Sequence, residues 1–250
     1  MSHVTPPNSI QMDTVSGIVK FIQCYCIFAM MKRILVFSLI VMVSIGAAYF
    51  LITENKSSKA PDVLNPIDLN PETVDQDLLQ VGQGHKIGEF SFINQDKQVI
   101  GLKDVKGKVF VAEYFFTTCQ TICPRMNDQM QRVQAAFKDE SNFRILSFTV
   151  NPEVDTVEQM KRFAQEHNAI AGKWHFLTGD KTKLYEAARK YFFLLKKSEV
   201  ENQGDVGSDF IHTNNFVLID REQRIRGYYD GTNPKEVDKL INDAKLILKE

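Results

Sequence analysis

The order of apolar and polar positions divides the chain into three parts. Residues 34–52 read ILVFSLIVMVSIGAAYFLI, 19 residues without a charge, which is about the ~20 needed to cross the core of a bilayer. Residues 53–84 are polar, contain three prolines and show little periodicity, which is typical of a linker. From about His85 onward, apolar runs alternate with amphipathic stretches, and we expect one folded domain at 85–250.

The pattern within 85–250 predicts both strands and helices. Alternating residues on either side of a turn at 94–97 predict a β-hairpin that opens the domain. Further strands are predicted from apolar and β-branched runs, namely VFVAEYFF at 109–116, RILSFTV at 144–150, WHFL at 174–177, FVLI at 216–219 and IRGYY at 225–229. Helices are predicted from apolar positions at helical spacing, beginning at Pro124, after Thr156, at Lys181 and at Pro234. This order predicts an α/β protein with a thioredoxin-like fold, in which helices flank a central mixed sheet.

The charges near the N-terminus predict a membrane topology. Lys32 and Arg33 stand directly before the apolar run, and basic residues remain on the cytoplasmic side. Residues 1–33 are therefore predicted to be cytoplasmic, 34–52 to be one transmembrane anchor, and the domain to lie on the periplasmic side of the inner membrane. A cleaved signal peptide fits less well, because its apolar region is usually ~7–15 residues long.

The first thirty residues and the net charge add little. A start at Met30 or Met31 would give the usual short basic segment before the anchor, so 1–30 is interpreted as an artefact of start-site choice. Cys24 and Cys26 in that segment are given no role. The formal net charge of −1 at pH 7 gives no reason to expect a nucleic-acid partner.

Two cysteines, Cys119 and Cys123, follow the predicted strand 109–116 and precede Pro124. Proline is favoured at the first helical position and disfavours the α conformation in the residue before it. We therefore predict that both cysteines lie on the loop that enters the helix. Backbone N–H groups and the helix dipole favour thiolates there, so either sulfur is expected to bind a metal or attack a disulfide. A purely structural disulfide would remove little unfolded-state entropy across so short a loop.

His212 is a candidate third donor, after the long charged loop 196–209, although a histidine on a loop is often simply solvated. Such a loop can bring the imidazole to the thiols, and two thiolates with one imidazole suit copper, particularly Cu(I). Zinc is the nearest rival, but a structural zinc site would need a fourth protein ligand. The candidates for it are His85, His167 and His175. His175 is expected to be packed or hydrogen-bonded in its strand, and His167 to be solvated or to cap a helix.

The motif FFTTCQTICP at 115–124 resembles the copper-binding loop of the Sco/SenC family, thioredoxin-like copper-binding proteins that one N-terminal helix tethers to the membrane. The resemblance extends from about His85 to the C-terminus. SFTVNPEVDT at 147–156 resembles a second family segment, with Asn151 where an aspartate is common. DFIHT at 209–213 resembles the segment with the third ligand, with isoleucine where the family often has aspartate.

The resemblance implies that Cys119, Cys123 and His212 bind copper. It further implies delivery of copper to the dinuclear copper site of cytochrome c oxidase, or reduction of the cysteines there, with the oxidase subunit or another copper protein as partner. No small-molecule substrate and no turnover activity are expected.

Two rival functions use the same thiols. In a thiol–disulfide oxidoreductase Cys119 and Cys123 would be the redox-active pair, although thioredoxins have two residues between their cysteines. A peroxidase would need an arginine that the sequence does not identify.

Overall fold

The computed structural model describes residues 30–50, 59–69, 83–194 and 213–250. The chain forms two compact units, Met1–Ser58 and Lys59–Glu250. In the first, helix α1 (Met30–Phe50) is exposed along its length and is the one described helix long and apolar enough to cross a membrane. This helix overlaps the predicted anchor, whose last two residues, 51–52, lie outside the described residues. Cys24 and Cys26 also lie outside the described residues.

The second unit contains a seven-stranded mixed sheet. Its strands are β1 (Ser91–Asn94), β2 (Val99–Gly101), β3 (Val109–Phe115), β4 (Phe143–Thr149), β5 (Trp174–Thr178), β6 (Asn215–Ile219) and β7 (Ile225–Asp230). Its helices are α2 (Leu102–Val105), α3 (Cys123–Ala136), α4 (Val157–Glu166), α5 (Lys181–Lys190) and α6 (Pro234–Ile247). The spatial order is β2-β1-β5-β4-β3-β6-β7, with β3, β4 and β5 parallel and the other pairs antiparallel. The predicted mixed sheet and opening hairpin are confirmed.

The central strand β3 separates two apolar layers because its side chains alternate between the faces of the sheet. Val111 and Phe115 pack with α3, α4 and α6, whereas Phe110 and Tyr114 pack with α2 and α5. Every residue of β3 is buried. The parallel strands β3 and β4 end on the same side of the sheet. The loops that follow these two strands carry the chemically active side chains.

Part of the predicted linker belongs to the second unit. Leu64 donates its backbone N–H to the carbonyl of Ile225 over 2.8 Å, and Arg226 Nε donates to the carbonyl of Pro61 over 2.7 Å. The Leu64 side chain also packs against the apolar layer that contains α5. We predicted a linker over 53–84, but 59–69 instead pairs with the edge strand β7, because that strand offers unpaired backbone groups.

Candidate metal centre

Cys119 and Cys123 lie between β3 and α3, at the carboxyl edge of the sheet. A turn follows β3, in which Cys119 donates its backbone N–H to the carbonyl of Phe116 over 3.3 Å. Cys119 is half-buried, whereas Cys123 is 1% exposed and packs in the apolar layer under α3. Neither cysteine forms a disulfide, so both sulfurs are in the thiol form.

The helix begins one residue earlier than the proline rule indicates. Cys123 is the first residue of α3, and Pro124 is the second. Our prediction that both cysteines lie on the entering loop is therefore wrong for Cys123. Proline is accepted at the second position because the first four amides of a helix have no intrahelical acceptor. Burial of the Cys123 side chain in the apolar layer accompanies this earlier start.

The surroundings of Cys119 favour its thiolate. Partial burial by itself raises the pKa, but hydrogen bonds from the thiol and backbone N–H of Cys123, and from the hydroxyl and backbone N–H of Thr121, outweigh it and lower the pKa to about 7. The Thr121 hydroxyl lies 3.6 Å from the sulfur. Near neutral pH, Cys119 is therefore the sulfur ready to bind a metal or attack a disulfide.

The surroundings of Cys123 have the opposite effect. Burial raises its pKa, the hydrogen bond to the Cys119 sulfur and the charges of Cys119 and Glu113 raise it further, and a backbone hydrogen bond from Phe116 only partly opposes them. The prediction that either sulfur is primed thus holds for Cys119 alone. The helix N-terminus lowers the pKa of a thiol by less than full burial, a neighbouring sulfur and a carboxyl group raise it.

This difference predicts selective alkylation. At pH 7 a thiol with a pKa near 7 is about half ionised, whereas an ordinary thiol is only ~3% ionised, so Cys119 should react with iodoacetamide more than ~15-fold faster than Cys123. The measurement is mass spectrometry of the labelled peptides of the reduced full chain in detergent between pH 5 and 9, with Cys119→Ser as control. Equal rates for the two cysteines at pH 7 would contradict the assignment.

The three histidines considered as a fourth ligand have other contacts. His175 Nδ1 lies 3.1 Å from the side-chain nitrogen of Asn94, and His85 Nε2 lies 3.1 Å from the carbonyl of Tyr191. His167 ends α4, as predicted for a capping residue, with its ring centroid 4.3 Å from that of Phe163. Within the described ranges, no group of three or more His, Cys, Asp or Glu side chains could hold a metal ion. His212 lies outside those ranges.

Comparisons with known proteins identify the family. The SCO1/SenC family model matches residues 80–248, more than half of the chain. The chain belongs to the SCO1/SenC family. A SCO1 protein homolog from Bacillus subtilis is 35% identical over 164 residues, which are 64% of this chain and 82% of the relative.

Two solved structures extend the comparison of this SCO1/SenC member. BsSco, described as a member of the Sco family of cytochrome c oxidase assembly proteins with a disulfide switch, is 33% identical with a TM-score of 0.55, over 66% of this chain and 94% of BsSco. ScoI from Bradyrhizobium japonicum with copper bound is 22% identical with a TM-score of 0.51, over 63% and 98%. The second likeness shows the shared fold alone. The thioredoxin-like fold predicted from the sequence is confirmed.

The start of β6 is relevant to His212 in this SCO1/SenC member. Strand β6 runs antiparallel to β3, with Ala112 paired with Val217 and Phe110 with Ile219. The amino end of β6, at Asn215, therefore lies beside the carboxyl end of β3, from which the cysteine loop departs. His212 precedes β6 by three residues in the chain but lies outside the described residues, so its role as third ligand stays a prediction.

Glu113, for which no role was predicted, is wholly buried in β3. By alternation with Val111 and Phe115 it faces the layer under α3, where Cys123 is buried. Ser147 donates a hydrogen bond of 2.5 Å to Oε1, and Oε2 has no hydrogen-bond partner among the described residues. Burial raises the pKa of Glu113 to about 7, although the Ser147 hydrogen bond opposes this. The signal in the sequence was an acidic residue inside an apolar strand, six residues before Cys119.

A second residue that sequence reasoning missed is Asp155, just before α4. It is wholly buried and accepts hydrogen bonds from Thr117, two residues before Cys119. The segment around it resembles the family, but neither spacing nor periodicity indicated that its carboxylate contacts the cysteine loop. Such a contact depends on how two loops meet in three dimensions.

Proposed function

We propose that this SCO1/SenC family member is a membrane-anchored copper metallochaperone that holds copper through Cys119, Cys123 and His212. The observation that carries the proposal is the thiol pair at the start of α3, in which one sulfur is half-exposed with a pKa near 7 and the other is buried beside it. Thiolate donors select Cu(I) over the hard cations that prefer oxygen. A site with two sulfurs and one imidazole leaves room for an incoming ligand.

The relatives support a proposal for the recipient. BsSco belongs to a family of cytochrome c oxidase assembly proteins, and ScoI shares the fold and binds copper in its solved structure. We propose that the recipient is the subunit of cytochrome c oxidase that carries the dinuclear copper site. Copper would pass by exchange with the thiolates of that subunit, so no turnover chemistry and no small-molecule substrate are needed.

The N-terminal helix supports the location. Helix α1 is long and apolar enough to cross a membrane, and Lys32 and Arg33 are basic residues near its start. We propose that α1 anchors the chain in the inner membrane and that the folded unit lies on the periplasmic side. Copper would then be handled outside the cytoplasm.

The test is a copper titration of His212→Ala. The reduced full chain in detergent is titrated anaerobically with Cu(I) against a chelator, and separately with Cu(II) while its absorption spectrum is recorded. Loss of an imidazole ligand should weaken binding by at least the ~10-fold seen for outer-shell changes and should alter the Cu(II) spectrum. His167→Ala, whose ring packs on Phe163, is the matched control and should leave both unchanged.

The second candidate function is thiol–disulfide exchange. It is favoured by the low pKa of Cys119 next to the buried Cys123. The Cys119 thiolate would attack a partner's disulfide and form a mixed disulfide. That attack releases one thiolate of the partner. Cys123 would then lose its proton and attack the Cys119 sulfur, which closes the Cys119–Cys123 disulfide and releases the partner's other thiolate. Rapid reduction of insulin disulfides, together with unchanged copper binding in His212→Ala, would favour this function over copper delivery.

A further inference from the structure

The carboxylate of Asp155 joins the cysteine loop to the loop after β4. Thr117 donates its backbone N–H to Oδ1 and Oδ2, at 3.2 and 3.3 Å, and its hydroxyl donates to Oδ1. Oδ2 also accepts from the hydroxyl of Thr149, the last residue of β4. Three donors from two segments therefore converge on one buried carboxylate.

The loop that carries Asp155 is itself held in place. Asn151 donates its backbone N–H to the Thr149 hydroxyl over 2.8 Å, and Asp155 donates its own to the Asn151 carbonyl over 2.9 Å. The next residue, Thr156, caps α4 by accepting from the backbone N–H of Gln159. Asp155 is thus fixed between the end of a central strand and the start of a helix.

Thr117 determines where Cys119 lies. A four-residue turn spans 116–119, and the hydrogen bond from the backbone N–H of Cys119 to the carbonyl of Phe116 closes it. Thr117 is the second residue of this turn. Cys123 is held independently, because it begins α3 and is buried in the apolar layer. The separation of the two sulfurs therefore depends on the position of this turn, and the hydrogen bonds to Asp155 fix that position.

We propose that Asp155 is a positioning residue for the thiol pair: it holds the turn so that Cys119 and Cys123 face one copper ion or join in one disulfide. Only the copper part of this inference rests on the proposed function. Losing a group that supports a metal ligand typically costs ~10–100-fold in metal affinity. Asp155→Asn keeps the shape of the side chain but replaces one acceptor oxygen with a donor.

The test measures two equilibria on the full chain in detergent. The first is the reaction of the dithiol with oxidised glutathione, which yields the Cys119–Cys123 disulfide and two reduced glutathiones. The second is Cu(I) affinity by chelator competition. We expect Asp155→Asn to lower both constants about tenfold, which for the disulfide corresponds to ~30 mV. Thr117→Val should act in the same direction, and Thr117→Ser, which keeps the hydroxyl, should resemble the wild type.

The control is Asp243→Asn, which removes another buried carboxylate, one that accepts a 2.7 Å hydrogen bond from Tyr229. It should leave both constants unchanged even where it lowers stability. Wild-type constants in Asp155→Asn and Thr117→Val would overturn the positioning role, and if Asp155→Asn does not fold, the two Thr117 variants decide. If the wild type fails to bind Cu(I) while the glutathione equilibrium shifts as expected, the proposed function fails and the positioning role stands.

Discussion

Replacing Cys119 with serine is expected to weaken Cu(I) binding by more than ~100-fold, because a ligand removed outright should cost more than the ~10–100-fold typical of an outer-shell partner. A serine hydroxyl is a hard oxygen donor and a poor substitute for a thiolate toward Cu(I). Cys123→Ser should lose a similar amount of affinity. It should also lower the unfolding free energy, since it places a hydroxyl in the apolar layer under α3.

The measurement is anaerobic chelator competition with the full chain in detergent, paired with chemical unfolding of the same variants. Cys24→Ser is the control, since no role is assigned to that thiol, and it should bind Cu(I) like the wild type. Wild-type affinity in Cys119→Ser would sink the thiolate site. Lost affinity in Cys24→Ser would instead place copper binding before the anchor.

Glu113→Gln is expected to remove a large loss of stability that the wild type shows as the pH rises from 4.5 through 7. The pKa of Glu113 is about 7 in the folded state, against an ordinary value of 4.5. Between pH 4.5 and 7 its carboxyl group is therefore protonated in the folded state and ionised in the unfolded state. The contribution of Glu113 to the free energy of unfolding is then fully present below pH 4.5 and is lost as the pH rises through 7. The full loss is about 3 kcal/mol, at 1.36 kcal/mol per pKa unit. Glutamine stays neutral throughout and can still accept the Ser147 hydrogen bond.

The measurement is denaturant unfolding of wild type and variant at pH 5 and at pH 8. The wild type should lose about 2–3 kcal/mol more than Glu113→Gln over this interval, since part of the full loss has already occurred by pH 5. The exposed Glu166 offers a control, because replacing a surface carboxylate with glutamine usually changes stability by less than ~0.5 kcal/mol. An identical decline in wild type and Glu113→Gln would show that Glu113 does not take up a proton on folding.

Much of the fold was predictable because the burial pattern of each element is visible in its own residues. Strand β3 is an apolar run interrupted only by Glu113, β6 is apolar after Asn215, and α3 and α6 carry apolar positions at helical spacing, so these elements followed from their patterns alone. The pairing of 59–69 with β7 was not predictable. Leu64 is one apolar residue in a polar segment, and its partner Ile225 lies about 160 residues later in the chain, where no local pattern links the two.

The thiol pair of the candidate site was predictable from the sequence, but its electrostatics were not, and the role of His212 stays a prediction. The Cys119–Cys123 spacing and the neighbouring proline pointed to a thiol pair at a helix start, which the structure contains. The sequence could not show that Cys123 is buried, because burial depends on the packing of α3 against the sheet. It also could not show that Glu113 faces the same layer, where the charge of its carboxylate raises the pKa of Cys123 further.

The unequal burial of the two sulfurs sets an order of events in the proposed transfer. Of the two described sulfurs, solvent reaches that of Cys119, so we expect a recipient's thiolate to approach from its side and the Cu–Cys119 bond to break first. Cys123, held in the first turn of α3, would release the ion last. Cys119 would therefore govern the rate at which a recipient engages, and Cys123 would govern how long the ion is retained in the shared complex.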